Sequence, residues 1–288
     1  MTASRWRADV RGGLRRVRAL LRGPEVSPRR VRSYLAEMRD RPRPLPADAP
    51  RGSIAIVVPC FGHARHVPTM FESVVRQTRS PDELIFVVDA SPDDSGAIVR
   101  GLIAGSGRSL RTRSTVLVNE TNLGQAASLN RGIATASSDL ILILNDDDYL
   151  MHDTVATVMG LFAAYPEIAL IGAHSIHFAT DDELMALPKT IADYAGPTGP
   201  SLEVRQPGDV LAYRGYNDLN LTHSGSCFLR MAWQAVGGYA ADKRVRIVPF
   251  SDRDFQLRLN ALFPVAVSPT IPFSFWRSGS SVDHGLNS

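Results

Sequence analysis

Cysteine is nearly missing from this chain. Cys60 and Cys227 are the only two in 288 residues. They stand far apart and neither has a Cys-x-x-Cys partner, which excludes a disulfide scaffold and a thiolate zinc site and suits a reducing compartment. Lysine is almost as scarce, two against thirty arginines, a bias that fits a GC-rich bacterial genome. No apolar run reaches the roughly 18–20 residues of a membrane span. The N-terminus has no signal-peptide core, so the expected location is the cytoplasmic side. There is no Gly-x-x-x-x-Gly-Lys-Ser/Thr loop, and no Gly-x-Gly-x-x-Gly follows the first apolar strand. Neither a P-loop nor a dinucleotide site is therefore expected. No internal repeat is visible.

What is present is an ordinary globular composition, 44% hydrophobic and 21% charged, with a net charge of +3. The charge is unevenly spread. Residues 1–50 hold thirteen arginines and five acids, a balance of +8, which leaves the rest at about −5. A basic arm thus precedes a mildly acidic body, and no nucleic-acid footprint is read from it. Within residues 4–22, Trp6, Val10, Leu14, Val17 and Leu21 recur at steps of three and four, one apolar stripe on an arginine-rich helix. Such a helix either lies on an anionic membrane or packs on the body. Ser27, Pro28, Val31, Leu35 and Met38 signal a second short helix. Residues 41–52 form a Pro-rich linker.

Beyond it the pattern alternates. SIAIVVP, ELIFVVD, STVLVN and DLILIL read as buried strands, as does IALIGAHSIHF. HVPTMFESVVRQT, GQAASLNRGIATA and TVATVMGLFAAYP between them have helical spacing. Strand and helix alternating over some 120 residues specify an α/β fold with a doubly wound, mostly parallel sheet flanked by helices, Rossmann-like in layout. Ligands of such sheets sit at the carboxyl ends of the strands. Residues 179–221 are expected to be loops and short strands covering the site. AWQAVGGY and SDRDFQLRLNALF return to helical spacing. His174 and His177 alternate with apolar residues on a strand and are expected to be structural.

At one strand end stand Asp146, Asp147 and Asp148, directly behind DLILIL. A single Asp there would be a turn or a helix cap. Three adjacent carboxylates relieve their repulsion by sharing a divalent cation, and Mg²⁺ or Mn²⁺ accepts such oxygens together with phosphate.

Several segments in order resemble the family 2 glycosyltransferases of the GT-A fold: IAIVVPCFG, FESVVRQT, DELIFVVDASPDDS, NLGQAASLNRGI, LILNDDDYL, SGSCFLR with VGGY, and SDRDFQLRL. The likeness is dense over residues 53–166 and good over 222–259. It implies a single catalytic domain over 51–272, with a nucleotide-sugar-binding half (51–170) and an acceptor-binding half (171–272). Residues 1–50 would then be an N-terminal extension and 273–288 a tail. It implies a nucleotide-diphosphate sugar donor, a UDP-sugar most often. The acceptor would be a saccharide, a lipid-linked saccharide or another small hydroxyl compound, as in cell-envelope or capsule synthesis. No Gln-x-x-Arg-Trp is present, so single-sugar transfer is expected.

By position, the resemblance places Phe61 near the nucleotide base, with Pro59 shaping the turn. Asp89 would accept hydrogen bonds from base or ribose, and Asn145, replacing the first Asp of the DXD triplet, would bind a ribose hydroxyl. Asp146 falls on the variable, solvated position beside the nucleotide sugar. Asp147 would ligate the metal, and Asp148 would support it or cap the next helix. Asp252 matches the catalytic Asp, preceded by Ser251 where the family has Glu. His284 falls near an extra metal or diphosphate ligand, Arg277 would pair with a phosphate, and His223 would contact the acceptor. Two other readings stand beside this one: a sugar nucleotidyltransferase, for which PCFGHARHVP lacks a Gly-rich basic loop, and a non-catalytic module of the same fold, for which Asn145 and Ser251 argue.

Overall fold

The apolar runs become strands because β-branched and leucine residues buried on both faces need neighbours that satisfy every backbone group. The computed structural model describes residues 26–39, 49–107, 110–195, 201–214, 219 and 221–279; the 4–22 stripe and His284 lie outside them. In chain order the elements are α1 (Pro28–Met38), β1 (Ile54–Cys60), α2 (Val67–Val75), β2 (Glu83–Asp89), α3 (Ser95–Ser106), β3 (Arg113–Asn119) and α4 (Gln125–Thr135). They continue with β4 (Leu140–Ile143), β5 (Tyr149–Leu150), α5 (Thr154–Ala164), β6 (Leu170–Phe178), α6 (Asp181–Ala186), α7 (Ile191–Ala195) and β7 (Glu203–Arg205). A 3₁₀ turn (Pro207–Leu211), β8 (Cys227–Leu229), α8 (Arg230–Val236), a second 3₁₀ turn (Lys243–Val245), α9 (Ser251–Leu262) and β9 (Val265–Arg277) complete the described chain.

One sheet runs in the order β3-β2-β1-β4-β8-β6-β9-β5, with β7 paired to β9. The first four strands are parallel. Antiparallel β8 joins β4 to β6, so both expected halves share a single sheet. The chain winds outward from β1 through β2 to β3 and then returns to β4 on the other side of β1. The reversal opens a crevice at the carboxyl ends of β1 and β4, where an open α/β sheet binds its ligand.

Three boundaries differ from the sequence-based expectation. β9 runs unbroken from 265 to 277, so the division at 272 falls inside a strand. α1 belongs to the body: Val31 and Met38 are fully buried, and Tyr34 lies under the Arg258 guanidinium, 5.9 Å from the ring centre. Within 179–221 the described residues hold the short strand β7 and loops, as expected, and also the short helices α6 and α7, where Thr180 caps α6 by accepting from Glu183 N. Asp153, at the N-cap position of α5, makes no side-chain cap bond; its carboxylate accepts from Ile191 N and Ala192 N and ties α7 down.

A buried carboxylate joins the strand starts. Glu83 accepts from the backbone N and Oγ of both Ser137 and Ser138, at 2.6–2.9 Å, and pairs with Arg113 Nη2 at 2.5 Å. Burial alone would raise its pKa, but the bonds from Ser138, Arg113 and Ser137 outweigh it and hold the group at about 2 against an ordinary 4.5. A depressed carboxylate stabilises the fold above its unfolded pKa and ceases to do so as pH falls through the folded value. Wild type should therefore exceed Glu83→Gln in urea-unfolding stability by about 2–3 kcal/mol at pH 6. That gap should shrink between pH 4.5 and 2; a gap independent of pH would contradict the assignment.

Candidate functional site

The turn leaving β1 and the turn leaving β4 meet in the crevice. Phe61 N donates to Asp146 Oδ2 (3.0 Å), and His63 Nδ1 lies 2.8 Å from Asp146 Oδ1. Asp147 completes the group: one donor atom from each of His63, Asp146 and Asp147 lies within 4.8 Å of the others. Asp146 and Asp147 are buried, and His63 is half-buried. Pro59, Phe61, Asp89, Asn145, Asp146 and Asp147 of the expected site all line one pocket, together with Cys60, His63, Asn122, Gln125 and Trp276.

Asp146 corrects the expectation of a solvated residue. Its carboxylate is turned inward onto the β1 turn, and burial raises its pKa despite the His63 contact. Asp148 does not cap α5. It is a buried hub that accepts from Ser224 Oγ (2.5 Å), Arg277 N (3.0 Å) and Asn145 Nδ2 (3.2 Å). Burial and the adjacent Asp147 push it up to about 8. A cation among these carboxylates would reverse that shift, since opposite charge favours the ionised form.

Asp89 faces the pocket, but its oxygens are engaged by the protein. Oδ1 accepts from Asn119 Nδ2 (2.6 Å) and Leu123 N (2.8 Å), and Oδ2 accepts from Gly124 N (2.8 Å). Its carboxylate therefore fixes the 122–124 loop over the pocket it also lines. Gly124 sits at φ +82°, a conformation glycine adopts without strain. Arg277 is likewise committed. Its Nε donates to the Asp147 carbonyl (3.1 Å), Nη2 pairs with Asp181 (2.5 Å), and the guanidinium lies over Phe178. It braces the acid turn against β9 and α6, which differs from the phosphate contact expected of it.

Asp252 stands half-buried in the first turn of α9. Phe250 is the N-cap residue, and the Asp252 carboxylate makes no hydrogen bond among the described residues. The carboxylate is therefore not spent as a cap. A chain of side chains links this helix to the pocket: Ser251 Oγ donates to Gln125 Oε1 (3.5 Å), and Gln125 Nε2 donates to Asn145 Oδ1 (3.3 Å). Behind Asp252 lie two buried rings. His223 Nε2 is 3.2 Å from the Tyr239 hydroxyl. Burial lowers the His223 pKa while the Asp252 charge opposes the change, and burial followed by Asp252 raises that of Tyr239. His223, expected to meet the acceptor, is buried against Tyr239 instead.

His63, Gln125 and Trp276 were not assigned site roles from the sequence. His63 had a signal available: it follows the first strand's Pro59-Cys60-Phe61 end, on the strand that a doubly wound crossover places beside the acid-ending one. Trp276 reaches the pocket from β9 and packs edge-on against His177 at 4.5 Å between ring centres.

A model of the family described as "Glycosyl transferase family 2" matches residues 55–230. An uncharacterized glycosyltransferase of Haemophilus influenzae is 34% identical over 118 residues, 41% of this chain and 37% of that protein. Glycosyltransferase GlyG of Streptococcus pneumoniae is 30% identical over 105 residues, 36% of this chain and 33% of that protein. The matched segment thus spans about a third of each of these relatives. Among solved structures, mannosyltransferase PcManGT from Pyrobaculum calidifontis, in complex with GDP-Man and Mn²⁺, superposes with a TM-score of 0.57 at 16% identity, covering 89% of this chain and 67% of that one. S. aureus TarS in complex with UDP gives 0.53 at 14% identity, covering 78% and 60%. At these identities the likeness is one of fold, and the fold is GT-A. Because that family model matches more than half of this chain, the chain belongs to glycosyl transferase family 2.

Proposed function

We propose that this glycosyltransferase moves one sugar from a nucleotide-diphosphate sugar, a UDP-sugar by the family resemblance, onto a hydroxyl of a saccharide or lipid-linked saccharide, inverting the anomeric centre. The observation that carries the reading is the meeting of His63, Asp146 and Asp147 at the β1–β4 switch point. The UDP, GDP-Man and Mn²⁺ held by the two structural neighbours support it.

The donor set fits a divalent cation. Two carboxylates and an imidazole within 4.8 Å suit Mn²⁺, and Mg²⁺ would rely mainly on the two carboxylates. When bound, such an ion offsets the charge on a departing diphosphate. The remaining work falls to the protein. Asp252 accepts the acceptor hydroxyl's proton as its oxygen bonds to the anomeric carbon; the bond to the diphosphate breaks, and its electron pair leaves with the nucleotide. Asp89 and Gly124 hold the 122–124 loop along one wall, Trp276 forms another, and Gln125 couples Asn145 to the Asp252 helix.

Incubation with UDP-, GDP- and dTDP-sugars in the presence of Mn²⁺ tests the reading. One of them should release its nucleoside diphosphate, and release should stop on adding a chelator. Release from none would favour the non-catalytic module.

A further inference from the structure

We propose that the first turn of α1 and the loop 240–250 form one docking face for an anionic phospholipid surface, setting the acceptor side of the enzyme against a membrane. The loop is built the reverse of what water alone selects. It buries Arg246 and leaves Val245 67% and Phe250 45% exposed. The Arg246 guanidinium closes the loop's base by donating to the carbonyls of Ala240 (2.8 Å), Pro249 (2.8 Å) and Ala241 (3.4 Å). Ile247 and Val248 are buried, and Ile247 N donates to Asp254. Two large apolar side chains are thus held outward from a pinned loop. Two exposed apolar side chains on a pinned loop, with cations on the same loop and on α1, are the chemistry an interfacial surface needs.

The cations come from two elements. Arg30 Nη1 donates to the Arg246 carbonyl (3.0 Å), which seats the start of α1 beside the loop. Arg29, Arg30 and Arg32 are exposed there, and the first turn of α1 holds no acid. Lys243 and Arg244 are exposed on the loop, Arg244 being paired with Asp242 at 2.8 Å. Cations alone would suit any polyanion. Cations with protruding valine and phenylalanine suit a bilayer, where the ring and methyl groups enter the headgroup boundary.

Phe250 precedes Asp252 by two residues, so docking here presents the start of α9 to the lipid. A lipid-linked saccharide is the acceptor this geometry favours. That conclusion rests on the transfer reading above, whereas the docking does not.

The test is co-sedimentation of the full chain with phosphatidylcholine vesicles, with and without phosphatidylglycerol. Two variants accompany it: Val245→Ser with Phe250→Ser, and Arg29→Gln with Arg32→Gln and Lys243→Gln. Neither touches the pins Arg30 or Arg246, and a thermal melt confirms that each is folded. The full chain should bind the anionic vesicles, and each variant should lose about tenfold or more, the cationic variant by about fivefold per charge removed. Three results would overturn the proposal: no binding of the full chain, wild-type binding by both variants, or duplex DNA bound as tightly as the anionic vesicles. UDP and GDP binding measured on the same samples separates this outcome from the fate of the transfer reading.

Discussion

Asp252→Asn should reduce sugar transfer by about 10²–10⁴-fold while leaving nucleotide binding intact. The substitution keeps the size and shape of the side chain and removes its capacity to take a proton. Binding should survive because Asp252 does not line the β1–β4 pocket, and the link from its helix to that pocket among the described residues runs through Ser251, Gln125 and Asn145. Folding should survive because the carboxylate caps nothing. Loss should therefore appear in kcat with donor KM nearly unchanged, the signature of an interaction made in the transition state. Unchanged turnover would remove Asp252 from the chemistry. A collapse of donor affinity would instead show that it organises the pocket.

The second large effect is structural. Gly132→Ala should lower stability by about 2–3 kcal/mol, which for a chain of this size lowers Tm by about 2–4 °C per kcal/mol. Gly132 lies on α4 where the helix rests on β1 and β2. A Cβ there would stand 2.6 Å from Val57 Cγ1 and 2.9 Å from Val87 Cγ2. Alanine would gain up to about 1 kcal/mol of helix propensity. Overlap with two buried strands outweighs that gain, because neither strand can retreat without breaking its ladder to the other. Val57→Ala opens space on one side, so the double variant should be less unstable than the sum of the singles. A single variant as stable as wild type would mean that α4 can lift from the sheet.

The parts legible in the sequence were those whose signal is local. Buried strands announced themselves as VVP, FVVD and LILIL, helices by their spacing, and the acid triplet by following an apolar run. The GT-A resemblance added order and roles. What stayed hidden depends on how turns fold across one another. Which of three adjacent aspartates turns inward is set by the backbone after β4, so Asp146 was misplaced while Asp147 stands with the candidate ligands. His63 meets the triplet only because β1 and β4 are neighbours. Asp89 is expected to accept from base or ribose, and nothing in the sequence around residue 89 shows that the 122–124 loop also returns to it. Arg277 was assigned to phosphate for a similar reason: its partners Asp181 and Asp147 are distant in sequence.

A β1–β4 crevice built for a nucleoside diphosphate and a divalent cation should reveal both in binding. Calorimetric titration with UDP, GDP and dTDP, each with and without Mn²⁺, tests it most directly. One nucleotide should bind, binding should tighten with Mn²⁺, and this dependence should be lost in Asp147→Ala and weakened in His63→Ala. Nucleotide binding that ignores the metal in all three proteins, or no binding at all, would contradict it.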